Sequence, residues 1–154
     1  MHVVSSEYSR RDALRLAGLA SLAVIVAAGR ADATPDEVAS AIAKLYGEKK
    51  FGSGKIKLDV PEIAENGLVV PINVEVESPM TDADYVKAVH VFAEGNPLPN
   101  VVSYKFTPAC GKAFAATRMR LAQTQDIICI AEMSNGSLYM TKSQVKVTIG
   151  GCGG

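Results

Sequence analysis

Tryptophan is absent from this chain of 154 residues, histidine occurs twice and cysteine three times. Each scarcity excludes a class of chemistry. His2 and His90 are far apart and have no cysteine or carboxylate at zinc-ligand spacing around them, so no bound metal is expected. The chain also lacks the Cys-x-x-Cys pair of a disulfide oxidoreductase and a histidine partner for a nucleophilic thiol, His90 reading as a structural or surface residue of a strand. Charge of one sign is missing as well: 16 Lys and Arg balance 16 Asp and Glu, and no basic cluster is interleaved with aromatics. That leaves no field for nucleic acid or anionic lipid. Long apolar runs are missing too: the stretch over residues 17–28 is about 12 residues, where a spanning helix needs roughly 20. What remains, 48% hydrophobic and 21% charged, is the composition of one globular domain.

The opening segment reads as an address. Ser9-Arg10-Arg11-Asp12 precedes the diluted apolar run, and Ala31-Asp32-Ala33 has the small-x-small pattern of a signal-peptidase site. Paired arginines favour the twin-arginine route, which exports folded proteins. The sequence thus predicts a removed leader over residues 1–33 and a mature chain in the periplasm, where disulfides can persist.

Thr34-Pro35-Asp36-Glu37 carries four helix-start cues: a hydroxyl N-cap, Pro at the first helical position, early acids, and Glu three residues after the cap. Val38, Ile42 and Leu45 would form its apolar face, with Ala41 beside them, and Gly47 would stop it within a segment spanning 34–50. After Gly52-Ser53-Gly54 the periodicity becomes two, in Lys55-Ile56-Lys57-Leu58-Asp59-Val60 and in Ile72-Asn73-Val74-Glu75-Val76-Glu77. Further β-rich runs cover 86–93, 101–106, 113–121, 127–133 and 138–149, separated by turns such as Asn66-Gly67, Gly95-Asn96-Pro97 and Asn135-Gly136. About seven short strands without intervening helices predict an all-β fold. The expected architecture is an immunoglobulin-like antiparallel β-sandwich over 55–149, preceded by a short N-terminal helix.

Function then rests on the segment 150–154, Gly150-Gly151-Cys152-Gly153-Gly154. Four glycines around one cysteine cannot build a core, and they leave the sulfur unhindered. Read as a flexible arm from Gly150 onward, the segment would carry the Cys152 thiol about 10 Å beyond the last strand. Such an arm presents a covalently held substrate to chemistry performed elsewhere. A free cysteine titrates near 8.5, so a partner must supply the base or cofactor. The chain itself is then a carrier, with no cofactor and no catalytic residue of its own. Three cysteines leave at least one unpaired. Either Cys110 and Cys129 form a disulfide, or Cys129 is a reduced core residue and Cys110 is partly exposed. Both alternatives stand at this point.

Several blocks resemble the SoxY family. They are the twin-arginine leader, Leu58-Asp59-Val60-Pro61-Glu62-Ile63-Ala64-Glu65-Asn66-Gly67, Ser78-Pro79-Met80-Thr81, Val89-His90-Val91-Phe92-Ala93-Glu94-Gly95-Asn96-Pro97, Gly136-Ser137-Leu138-Tyr139-Met140, and the closing run from Val145 to Gly154. The resemblance implies a sandwich paired with a second β-sandwich subunit, SoxZ, as a heterodimer. It implies that a haem c enzyme joins thiosulfate oxidatively to Cys152, that a manganese hydrolase releases sulfate, and that in some systems a molybdenum enzyme oxidises the remaining sulfane sulfur. Only Cys152 takes a chemical role, as the attachment atom, with Gly150, Gly151, Gly153 and Gly154 as its setting. Three other classes compete. A ubiquitin-like thiocarboxylate carrier conflicts with the export signal, and a thiol redox protein would turn over disulfides by itself. A non-catalytic periplasmic Ig-like binding module would keep its activity without the last five residues.

Overall fold

The computed structural model describes residues 33–151. The expected leader, and Cys152, Gly153 and Gly154, lie outside the described residues. The helix α1 (Pro35–Tyr46) starts as its sequence dictates: the Thr34 hydroxyl accepts from the Glu37 N–H, the Glu37 carboxylate accepts from the Thr34 N–H, and Gly47 caps the end. Its buried face differs from the expected one. Val38, Ile42 and Tyr46 point inward, whereas Leu45 is 52% exposed. At about 100° per residue, the steps from 38 to 42 to 46 centre the stripe on Ile42, and Leu45 falls some 60° to one side of that centre. Tyr46 gains an edge-on contact with Phe51 at 6.2 Å between ring centroids.

Nine strands follow: β1 (Phe51–Gly52), β2 (Ile56–Asp59), β3 (Ile63–Asn66), β4 (Val70–Val76), β5 (Val86–Ala93), β6 (Asn100–Lys105), β7 (Ala113–Met119), β8 (Gln125–Met133) and β9 (Leu138–Ile149). One sheet runs β1-β9-β8-β5-β6, with β3 also on β9, and the second runs β2-β4-β7. The long-strand pairings are antiparallel, as a sandwich of this class requires. The exceptions are β1 and β3, which pair parallel with opposite ends of β9, at Leu138–Tyr139 and at Lys146–Ile149. Neither was anticipated. Two residues are too few to show a period, and Glu65 and Asn66 are poor strand formers. Their pairing is driven by the free edge of a 12-residue strand.

Alternation places Val70, Ile72, Val74 and Val76 of β4 against Val89 and Val91 of β5 and Ile127, Cys129 and Ala131 of β8, forming the core between the sheets. The opposite face of β5 and β8 is apolar as well, with Phe92, Ile128 and Ile130 lying beneath Val38, Ile42 and Tyr46 of α1. Burial on both faces explains why Ile127 to Ala131 is an unbroken apolar run rather than an alternating one.

His90 stands on β5 near the end of α1, its ring edge-on to Tyr46 at 6.0 Å and its Nδ1 2.7 Å from the Ser103 hydroxyl. Its pKa is lowered from 6.5, chiefly by burial; Glu132 opposes that shift and Lys105 adds to it. The unfolded chain therefore binds a proton that the fold resists, so this contribution is complete above pH 6.5 and declines as pH falls through that value. Between about pH 8 and 5 the urea midpoint of wild type should fall more steeply than that of His90→Gln. Parallel curves would overturn this.

Candidate functional site

Beyond Ile149 the chain turns directly into contact with two loops. Gly67, just after β3, donates its N–H to the Ile149 carbonyl at 2.7 Å; the Leu121 N–H donates to the Gly67 carbonyl at 2.8 Å; and the Gly151 N–H donates to the Leu121 carbonyl at 2.8 Å. Gly67, Leu121 and Gly151 are all buried. Three chain segments are thus joined by successive backbone bonds at one end of the sandwich.

Side chains are excluded from this junction. A Cβ at Gly151 would overlap the Gly67 carbonyl and the Leu68 nitrogen, one at Gly150 the Ala122 carbonyl, and one at Gly67 the Leu121 carbonyl. Gly67 is therefore needed for close approach and not for a left-handed torsion, in contrast to Gly136 of the Asn135-Gly136 turn, whose φ is 82°. Here the structure departs from the expectation of a free arm beginning at Gly150. Gly150 lies against Ala122 and Gly151 is held by a hydrogen bond to the Leu121 carbonyl, the last such contact among the described residues. The missing Cβ that makes glycine mobile is also what allows two backbones to touch.

A buried amide pair supports one wall of the junction. Asn96 and Gln125, 8% and 6% exposed, are the buried polar residues among those described. Asn96 Nδ2 donates to the Arg120 carbonyl at 2.8 Å, and its Oδ1 accepts from the Ala122 N–H at 3.1 Å and from Gln125 Nε2 at 3.0 Å. Gln125 Oε1 accepts from the Gly95 N–H at 2.7 Å. The loop from Arg120 to Ala122 is thereby fixed from beneath. Asn96→Ala would take a hydrogen-bond partner from the Arg120 carbonyl, the Ala122 N–H and Gln125 Nε2, the last of which keeps its bond to the Gln123 carbonyl, and a loss of about 2 kcal/mol is expected, read from the urea-unfolding midpoint. A change below about 0.5 kcal/mol would show that solvent replaces the amide. Asn66-Gly67 and Gly95-Asn96 were legible in the sequence only as turn markers.

The comparisons bear on this end of the molecule. The family model of SoxY, sulfur oxidation protein SoxY, matches residues 42–152, which is most of the chain and ends on Cys152. The chain belongs to the SoxY family. The structure of the sulfur carrier protein SoxY from Chlorobium limicola f thiosulfatophilum is 31% identical, with a TM-score of 0.63, covering 75% of this chain and 100% of that one. Superoxide reductase (Neelaredoxin) from Ignicoccus hospitalis is 20% identical at a TM-score of 0.55, covering 79% of this chain and 98% of that one. At that identity the likeness shows the fold alone. Among the described residues no group of three His, Cys, Asp or Glu side chains is placed to hold a metal. No curated protein sequence matches the chain.

The other two cysteines of this SoxY-family chain lie apart. Both are free, so the bridge considered from the sequence is not formed: Cys129 is fully buried on β8 and Cys110 is exposed in the short turn Pro108–Cys110 before β7. Cys129 packs as a small apolar residue, and burial pushes its thiol up to about 12, which leaves it inert. The Cys110 thiol is lowered by hydrogen bonds from Thr107, backbone first and then side chain. Seven residues of β7 separate Cys110 from the Leu121 loop, a distance of roughly 20 Å. Neither cysteine belongs to the junction at Gly151.

Proposed function

We propose that this SoxY-family chain is a periplasmic sulfur carrier of thiosulfate oxidation, exported by the twin-arginine route, which holds its substrate covalently on Cys152. The observation that supports this reading is the anchoring of Gly151, the residue that precedes Cys152. Cys152 directly follows Gly151, the last of the described residues, which is bonded to the Leu121 carbonyl, and Cys152 closes the family match. Covalent geometry alone keeps its Cα about 3.8 Å from that of Gly151. The similar protein from Chlorobium limicola f thiosulfatophilum is itself described as a sulfur carrier.

Loading joins the Cys152 sulfur to the sulfane sulfur of thiosulfate. The thiol loses its proton, two electrons pass one at a time to a haem c partner enzyme and its electron acceptors, and Cys–S–S–SO₃⁻ remains. Hydrolysis by a manganese enzyme then adds water across the terminal S–S bond, releasing sulfate and a proton and leaving a persulfide on Cys152. A molybdenum enzyme is the agent for oxidising that sulfane sulfur. This chain supplies attachment and presentation, with SoxZ as its heterodimer partner, and no catalytic group. An enzyme that receives the thiol is then the source of its activation, because the thiolate and not the thiol is the nucleophile.

The test is intact-protein mass spectrometry of the chain isolated from cells consuming thiosulfate, before and after reduction. Reducible additions of thiosulfonate or sulfur that map to Cys152, with Cys110 unmodified, are expected. An unmodified Cys152 during active thiosulfate consumption would overturn the carrier reading.

A further inference from the structure

Carriage as described requires an exposed thiol, but it does not require the residues before that thiol to be held. Yet they are held from both sides, by groups that admit no side chain. The Ile149 carbonyl, Gly67, Leu121 and the Gly151 N–H are linked by three consecutive backbone bonds of 2.7, 2.8 and 2.8 Å. A Cβ at Gly67 would also stand 2.7 Å from the Gly151 nitrogen and 2.9 Å from Val147 Cγ1, besides overlapping the Leu121 carbonyl. Gly67 does not adopt a positive φ, so its own torsion gives no reason for glycine. Its neighbours do.

We propose that Gly67 is a positioning residue for Cys152: with Leu121 it forms a backbone latch that closes on Gly150 and Gly151 and fixes the point at which the cysteine leaves the sandwich. The inference rests on the carrier reading for its purpose, but not for the existence of the latch. Freeing Gly150 and Gly151 would move the last anchored residue before Cys152 back by two positions, about 7 Å of chain. The thiol would then sample many directions in place of a few. A partner's active site meets a fixed thiol with less orientational entropy to overcome. The latch therefore favours delivery to an enzyme and has little bearing on reaction with a small diffusing reagent.

The test uses the full chain with Gly67→Ala and, separately, Gly151→Ala. The second substitution lies beyond β9, the last strand of either sheet, so it loosens the latch from the other side without touching the sandwich core. Ile42→Val, on the buried face of α1, serves as a control that lowers stability away from the latch. Amide exchange at Gly151 and Leu121 should accelerate about tenfold or more in both latch variants and stay at the wild-type rate in the control, while amides of β8 remain protected throughout. A nitroxide on Cys152, in a Cys110→Ser background, should give a more mobile spectrum in the latch variants alone. Sulfur loading of Cys152 in cells consuming thiosulfate should fall, with its alkylation by iodoacetamide undiminished. Unchanged Gly151 exchange, or an unchanged nitroxide spectrum, in both latch variants would overturn the latch. Loading at the wild-type level despite faster exchange would overturn the positioning role. If wild type itself never acquires sulfur, the carrier reading falls, and exchange and nitroxide mobility still decide whether the latch exists.

Discussion

Cys152→Ser should leave the chain folded and abolish its acquisition of sulfur entirely. The fold should be unaffected because the residue follows β9, the last strand, in sequence, and the substitution exchanges a single atom. Chemically the loss is complete, since a serine oxygen cannot form the S–S bond on which the adduct depends. No other thiol substitutes for it. Cys129 is buried with its pKa raised to about 12. Cys110, although exposed, stands at the far end of β7 from the anchored Gly151. Deleting residues 150–154 should give the same result, whereas a binding module would keep its activity without them. The measurement is the mass of the chain from thiosulfate-consuming cells, together with their thiosulfate consumption. Adducts persisting on Cys152→Ser, or mapping to Cys110, would move the attachment site and end the assignment of Cys152.

Phe92→Ala should destabilise the protein by about 3–5 kcal/mol, the range for removing a fully buried phenylalanine. Phe92 is 0% exposed and sits between α1 and the outer face of β5 and β8, in a cluster with Val38, Ile42, Tyr46, Ile128, Ile130 and Leu138. A helix of 12 residues is marginal in isolation. It depends on this platform, so loss of helical dichroism should accompany or precede the loss of β-structure during urea unfolding. Total stability of a domain this size is about 5–15 kcal/mol, so the change removes a large fraction of it. A midpoint shift equivalent to less than about 1 kcal/mol would show that α1 does not derive its stability from that face. The Gly151 amide, tied to Leu121 at another part of the molecule, should keep its exchange protection until global unfolding.

Much of this architecture is written in local pattern. The Thr34-Pro35-Asp36-Glu37 start, the alternation of Ile72, Val74 and Val76, and the turn at Asn135-Gly136 each depend on neighbours a few residues away, and each appears as its sequence states. The departures have a common origin. Tyr46 displaces Leu45 from the buried stripe because the docking angle of α1 is set by the ridge of Phe92, Ile128 and Ile130. Strands β1 and β3 exist because β9 is long enough to offer them an edge. Neither fact resides in the segment concerned.

The cysteines divide along the same line. Their number, spacing and residue setting single out Cys152 within Gly150-Gly151-Cys152-Gly153-Gly154, because four glycines around a thiol state accessibility without reference to any partner surface. The sequence by itself thus determined the all-β class and the capped helix, and it singled out Cys152 as the proposed attachment residue. Only tertiary structure decided that Cys110 and Cys129 stay apart, one exposed before β7 and the other inside the core. It also decided that Asn96 and Gln125 brace the Leu121 loop, and that Gly150 and Gly151 are held against Gly67 and Ala122. The physical reason is that a glycine reads identically in sequence whether its missing side chain provides freedom of rotation or room for another backbone. Which of the two it provides depends on what the fold brings within 3 to 4 Å of it.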